Sequence, residues 1–349
     1  AGRRPLENIF LLNGIEYTGS SQLANTPGGV SGQLLGVDAV REFNLLTDNY
    51  SAEYGKRGGA QVSVVTMSGS NAVHGSLFEF LRNNRLDARN FYDRGSAPPF
   101  RRNQFGAALG GPVKKDKLFL FGNYEGFRER LDVTNVTVVP NNEARQGRMP
   151  NATGVYSAVA NLDLRMLPYM QLWPEVNGPQ LLANGVETGS ALSFNNPKRK
   201  VHEDFGTLRG DYNISANDIL TTNYTIDDGN SQVPAPDPLF GNAVHLRAHV
   251  LSLQETHIFS PRILNTFRAG LSRAGFNFDA LEFKQFPSSL AFLPGNNIGG
   301  FIIGGGNTTT GLASITAGGS NNAATRELTR QRVLRSIRSP SRRNIASIR

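Results

Sequence analysis

Histidines, neighbouring acids and clustered glycines are the residues here whose types and spacing could support chemistry, and each set weakens on inspection. His245 and His249 stand four apart, the spacing of a zinc pair on a helix. Their surroundings read as a strand, where four residues cover about 13 Å, too far to share one metal. His74, His202 and His257 are isolated and read as structural. Asp227-Asp228-Gly229-Asn230 has acids enough for calcium but not the ligand spacing of a calcium loop, and a plain turn at a strand end is the simpler reading. Gly299-Gly300 and Gly304-Gly305-Gly306 follow no strand–helix context and do not read as a phosphate cradle. The chain has no cysteine, which excludes disulfides and thiolate chemistry. No Ser–His–Asp or paired-carboxylate arrangement stands out. The expectation is therefore no catalytic residue, no cofactor, no metal and no enzyme.

Two groups of residues suit binding instead. Arg85, Arg89 and Arg94 interleave with Phe91 and Tyr92, which suits a ligand-facing loop or, more plainly, a loop packed on a rim. Arg209, Asp211, Asn223, Asp227 and Arg268 sit in the middle of strand-like segments. In a dry core each charge would carry a large desolvation cost. On the wet inner wall of a wide barrel such residues are ordinary.

The elements carrying these residues alternate with period two. Leu208, Tyr212 and Ile214 oppose Thr207, Arg209, Asp211 and Asn213. Leu220, Tyr224 and Ile226 oppose Thr221, Asn223, Thr225 and Asp227, and Ile263, Phe267, Ala269 and Leu271 oppose Thr266, Arg268, Gly270 and Ser272. A two-layer sheet with one solvated face alternates in the same way. Connection lengths favour a barrel. Short turns at Lys114–Lys117, Ser215–Asp218 and Ser260–Arg262 alternate with long connections over 83–102, 131–200, 231–244 and from 277 onward. Outer-membrane barrels keep tight turns on the periplasmic side and long loops outside. The pattern predicts seven strands, roughly 74–82, 103–113, 117–130, 204–214, 218–230, 245–259 and 262–276. An odd count leaves a barrel unclosed, so the chain reads as incomplete.

Composition fits this reading. Charged residues are 18% of the chain, against about 25% in ordinary soluble domains. No apolar run reaches the 18 residues of a helical span. The first residues, Ala-Gly-Arg-Arg-Pro, lack the apolar region of a signal peptide, so the mature chain starts there or the sequence begins inside a larger protein. The net charge of +8 is concentrated at the other end, where residues 325–349 hold eight arginines against Glu327. That segment reads as a truncated or out-of-frame end, or else a solvated basic tail. A nucleic-acid arm is the least favoured reading, and no nucleic-acid partner is expected.

Residues 37–130 carry a family resemblance. The runs Val37-Asp38-Ala39-Val40-Arg41-Glu42-Phe43, Asn49-Tyr50-Ser51-Ala52-Glu53-Tyr54-Gly55 and Gly58-Gly59-Ala60-Gln61-Val62-Ser63-Val64-Val65-Thr66 resemble the end of the plug of TonB-dependent receptors. His74-Gly75-Ser76-Leu77-Phe78-Glu79-Phe80 resembles the first barrel strand of the Oar-like branch, whose members often carry a carboxypeptidase-regulatory-like extension. Phe105-Gly106, Gly110-Gly111-Pro112 and Lys117-Leu118-Phe119-Leu120-Phe121-Gly122-Asn123-Tyr124-Glu125 resemble its next hairpin. Met67 departs from the lysine common at that position.

The resemblance implies a mainly β fold: the C-terminal part of an α/β plug over 1–71, then the first strands of an incomplete transmembrane β-barrel over 72–276. A long outer loop spans 131–200, a Gly/Asn/Thr-rich loop 277–324 and a basic tail 325–349. It also implies energy-coupled uptake of a bulky nutrient (a glycan, a peptide or a metal chelate) across the bacterial outer membrane. Outer-membrane lipid and a TonB-type energy transducer, engaged through a segment upstream of this chain, would be partners. A structural or adhesive outer-membrane protein without transport, and a soluble β-rich binding module, are the competing expectations.

Overall fold

The computed structural model describes residues 7–17, 29–33, 35–47, 57–93, 95–235, 237–295, 298, 300–303, 315–318 and 325–340. A small mixed sheet comes first. β1 (Ile9–Leu12) and β2 (Ile15–Glu16) form a hairpin turned at Asn13-Gly14, both with positive φ, as a two-residue hairpin turn demands. A 3-10 turn at Val37–Ala39 leads into β3 (Val40–Leu46), and β4 (Gln61–Thr66) pairs parallel with β1 and antiparallel with β3.

The large sheet begins with β5 (His74–Asn83), β6 (Phe100–Lys114) and β7 (Leu118–Asp132). The connection after β7 is itself folded. It holds β8 (Asn135–Pro140), the single turn α1 (Asn142–Arg145), β9 (Arg148–Pro150), β10 (Tyr156–Ala158), β11 (Gln180–Ala183) and β12 (Val186–Asn195). The large sheet resumes with β13 (Lys198–Asn213), β14 (Asp218–Pro234), β15 (Phe240–Ser260) and β16 (Ile263–Glu282). A hairpin of β17 (Gly300–Ile303) and β18 (Ile315–Gly318) precedes β19 (Thr325–Pro340). The sheet order is β19-β16-β15-β14-β13-β7-β6-β5, an antiparallel meander of eight strands.

The three short turns fall where expected and at one end of the sheet, with Asp116 in the left-handed region and Lys117 N bonded to Lys114 O. Three expectations are corrected. Residues 231–244 are not a long connection: β14 and β15 run to Pro234 and from Phe240, leaving five residues between them. Residues 325–340 are not a tail but the eighth strand, in register with β16 from Phe278↔Thr325 to Ile263↔Pro340. Pairing uses backbone donors and acceptors, which an arginine-rich segment offers as fully as any other. Residues 277–324 are not wholly loop either, since β16 continues to Glu282 and β17 and β18 pair.

The strands outrun a bilayer. A tilted strand crosses in about 9–11 residues, whereas β13 to β16 have 16 to 21. On the outward face Leu77, Leu109, Leu120, Leu208, Leu251 and Leu271 are exposed and form an apolar band. At its upper edge on the same face stand Tyr224, in register with Leu208 and Leu251, Tyr124 and Phe105, and with Phe105 begins a charged row of Asp204, Asp228 and Arg247 flanked by Arg128 and Arg273. An apolar belt edged by aromatic rings is the outer surface of a membrane barrel. The strand ends beyond the charged row project outside it.

Candidate functional site

The small sheet lies against the inward face of the large one, and seven successive strands reach it. β5 contributes Ser76, whose hydroxyl donates to Asp38 Oδ2 at 2.5 Å. Ala108 of β6 and Phe121 of β7 pack on Ala39 and Met67. Phe127, Val201 and Phe205 enclose Leu35 and Val30. Val250 of β15 packs on Leu12, Ile15, Tyr17 and Val64. At Gly270 of β16 an added Cβ would stand 2.2 Å from Ile15 Cδ1, so glycine is what lets the two sheets approach.

Between these small apolar contacts runs a row of buried carboxylates on the wall. Glu203 is fully buried, Glu125 is 1% exposed, and Glu129 and Asp227 are 2% exposed. Three of them, Glu203, Glu125 and Asp227, take a backbone amide or a neutral donor from the N-terminal unit, while Glu129 is held by arginines of the wall. Ser31 N donates to Glu203 Oε2 at 2.6 Å, Gly36 N to Glu125 Oε2 at 2.7 Å, and Tyr17 Oη to Asp227 Oδ2 at 3.1 Å. Gly36 has φ 77°, and a Cβ there would stand 2.1 Å from Phe205. Backbone and carboxylate meet here only because no side chain intervenes. Gln104 donates to the other oxygen of Glu125 at 2.6 Å. Glu129 sits between Arg102 at 2.5 Å and Arg199 at 3.2 Å.

All five residues expected on a wet inner wall lie on this inward face. Arg209 donates to Thr66 O at 2.6 Å and to Asp211, and Asn223 Nδ2 donates to Thr66 Oγ1 at 3.2 Å. Asp227 takes Tyr17, and Arg268 donates to Gln254 at 2.6 Å beside Gly14. The sequence reading missed Glu125, Glu129 and Glu203. The available signal was that Glu125 and Glu129 share a strand face with Phe127 in β7, and Glu203 with Phe205 in β13.

The residues at 85–94 are brought together less fully. Arg85 is exposed in a 3-10 turn, and Arg89 donates to Asp93 O at 2.9 Å. Phe91 and Tyr92 pack edge-on against each other, with Phe91 88% exposed, so the loop tip is not packed on a rim. Arg94 lies outside the described residues, as do Gly304-Gly305-Gly306 and Asn49–Gly55.

Two further readings change. Asp227-Asp228-Gly229-Asn230 is no turn, because all four pair within β14 and successive side chains face opposite sides, so they cannot converge on calcium. His257 is not isolated: its Nδ1 lies 2.5 Å from Asp218, and with Glu255 the ligand atoms fall within 4.8 Å, the one such group among the described residues. Ser215 takes the other oxygen of Asp218. His245 and His249 have separate partners, Asp228 and Tyr224.

The outer connections make a second body. Val139, Leu172, Trp173, Phe240, Leu290 and Ile298 form one buried core drawn from the loops after β7, β14 and β16. Arg145 of α1 donates to four carbonyls, of Pro140, Met170, Trp173 and Pro174, and burial lowers its pKa. Asn141 caps α1 through Ala144 N and also reaches Tyr156 and Gln180. Asp237, in the loop between β14 and β15 and outside the membrane-spanning strands, is 3% exposed. Burial pushes its carboxyl up to about 7, against the opposing hydrogen bond from Leu239 N.

The chain matches the outer membrane beta barrel domain family over residues 65–336. It is similar to the TonB-dependent transporter Oar of Myxococcus xanthus, 32% identical over 126 residues, which is 34% of this chain and 11% of that protein. Solved structures of outer-membrane proteins resemble it too. The outer membrane transporter YddB from Escherichia coli has 12% identity and a TM-score of 0.49 over 80% of this chain and 32% of that one. A mutant of the ferric enterobactin receptor PfeA from Pseudomonas aeruginosa has 11% identity and a TM-score of 0.48 over 80% and 34%. The chain thus spans about a third of each of those structures.

Proposed function

This chain belongs to the outer membrane β-barrel domain family of the bacterial outer membrane, and from that we propose that it is part of a TonB-dependent transporter, comprising the distal plug and early barrel strands. Family membership leaves no room for the soluble binding module. The reading of transport rests on one observation above all: a separate small sheet stands inside the wall, held by amide-to-carboxylate bonds such as Ser31–Glu203 and Gly36–Glu125. A structural barrel needs no removable body in its lumen. Hydrogen bonds that water can replace, and apolar contacts in several small clusters, suit a body that must shift without unfolding the wall. The similarity to Oar supports the same reading.

In this reading an energy transducer pulls the plug from the periplasm through a segment upstream of residue 1. The cargo is a bulky nutrient, met first by the outer loops, among them the exposed Arg85, Arg89, Phe91 and Tyr92, together with Arg94, which lies outside the described residues. Arg209, Asp211, Asn223, Asp227 and Arg268 line the path once the plug moves. The test is a lock. The chain has no cysteine, and Asp38 and Ser76 touch across the interface. In the full-length protein, Asp38→Cys with Ser76→Cys is expected to stop uptake of the cargo when oxidised and to restore it on reduction. Unchanged uptake with the crosslink formed rejects plug movement as the basis of function.

A further inference from the structure

Charge on the outward face above the apolar band is left unneutralised at one place. β6, β7 and β13 bring Arg101, Arg130 and Lys200 into a single cross-strand row, Arg101 opposite Arg130 and Arg130 opposite Lys200. All three are exposed. Among the described residues their side chains make no ion pair and no hydrogen bond. Nearby basic side chains differ. Arg128 holds Asp204 at 2.6 Å and lies 5.7 Å over Phe105, His202 shares Asp204, and Arg247 takes Asp228 at 2.5 Å. Asp132, the nearest acid on this face of β7, stands one row further out, opposite Lys198.

Like charges directly opposite in a ladder destabilise it. Three in a row, each able to reach the same space, form a site that an anion would stabilise. The row lines an open groove of about 560 Å³, to which Asn103, His202 and Gln232 add donors. Its height is informative. Arg101 is four residues beyond Phe105 of the aromatic edge, about 13 Å along the strand and about 10 Å in height at a barrel tilt of 35–45°. That level lies just outside the hydrocarbon. Neighbouring strands are about 4.8 Å apart, so the row spans about 10 Å, enough to hold two phosphates.

We propose that Arg101, Arg130 and Lys200 bind the phosphates of an outer-leaflet glycolipid headgroup. The acyl chains of that lipid lie against the apolar band below, at Leu120 and Leu208, which are exposed on the same strands. That continuity selects a lipid over a free anion. The proposal needs the membrane placement of the chain but not transport.

The test uses the full-length protein in detergent, with a bis-phosphorylated glycolipid, its dephosphorylated form and inorganic phosphate as probes. The variant is Arg101→Gln with Arg130→Gln and Lys200→Gln. By native mass spectrometry the wild type is expected to retain the phosphorylated lipid at least tenfold over the dephosphorylated one, and the variant to lose that preference. Without lipid the variant should melt higher than the wild type, because the repulsion is gone. Added phosphorylated lipid should raise only the wild-type melting temperature. Equal retention of both lipids, preference kept by the variant, or the same shift from inorganic phosphate each overturns the proposal. Heat-modifiable gel migration checks folding, and Arg130→Gln alone, the centre of the row, serves if the triple variant does not fold.

Discussion

The plug and the outer-loop body are both small packed units attached to the same strands, yet they are attached by opposite means. The plug meets the wall through buried carboxylates taking backbone amides, with apolar contacts split among separate groups around Leu35, Ile15 and Ala39. The outer-loop body has one core that joins three connections around Trp173 and Phe240. A polar interface can be exchanged for water with little net loss, whereas an apolar core cannot. The difference accords with the proposed function, in which the plug shifts relative to the wall while the loops stay packed on one another.

The sharpest way to break this comparison is Trp173→Ala. Trp173 is 2% exposed, and removing a buried large aromatic costs about 3–5 kcal/mol. The expected result is rapid proteolysis within residues 133–197, while heat-modifiable migration of the barrel is retained. If the strands melt together with the loops, the outer body is not a separate unit.

Arg145→Met comes next. Its guanidinium is the common donor to four carbonyls that come from two separate stretches of the connection. Loss of charged hydrogen bonds of this kind costs about 2–3 kcal/mol. Amide exchange over 140–174 should accelerate, and exchange at Ser31 and Gly36 should not change.

How much of this was legible from residues alone follows from where water lies. The alternation in 204–214, 219–228 and 262–276 was clear because one face meets apolar surroundings and the other meets polar partners, here the groups of the N-terminal unit rather than the water expected. Strand ends were not clear. Beyond the charged row both faces are wet, alternation fades, and the ladder continues unmarked to Pro234 and Glu282. The eighth strand was hidden by its arginines, because composition reports on side chains and pairing on backbone. The outer core was illegible for another reason: Val139, Trp173, Phe240 and Leu290 come from segments far apart in sequence, so no local period links them. Glu125 and Glu203 looked like any polar residue on a wet wall until the plug amides were placed against them.

A pH dependence separates the two units further. The Asp237 carboxyl is pushed up to about 7, above its unfolded value of about 3.9. The folded loop therefore holds the proton more tightly than the unfolded chain. Stability of the outer body should be greatest below about pH 4, fall as pH rises through the window to 7, and level off above it. The expected span is on the order of 2 kcal/mol, less than the full shift implies because water can enter a loop at the rim. Asp237→Asn should flatten the profile of loop proteolysis against pH. An unchanged slope would place the responsible group elsewhere.

The smallest effect is the most informative about the plug. Glu125→Gln keeps size and one acceptor oxygen but removes the charge that Gly36 N and Gln104 share. A hydrogen bond to a charged acceptor exceeds a neutral one by about 1 kcal/mol. Exchange at Gly36 should rise about fivefold, since 1.4 kcal/mol is tenfold, with the outer body unaffected. Glu125→Ala goes further, leaving Gly36 N without an acceptor beside Phe205, and should loosen residues 35–40 as a segment. If the Gln variant protects Gly36 as well as the wild type does, the charge contributes nothing to holding the plug. The wall would then be gripping it through packing alone, as the outer loops grip one another.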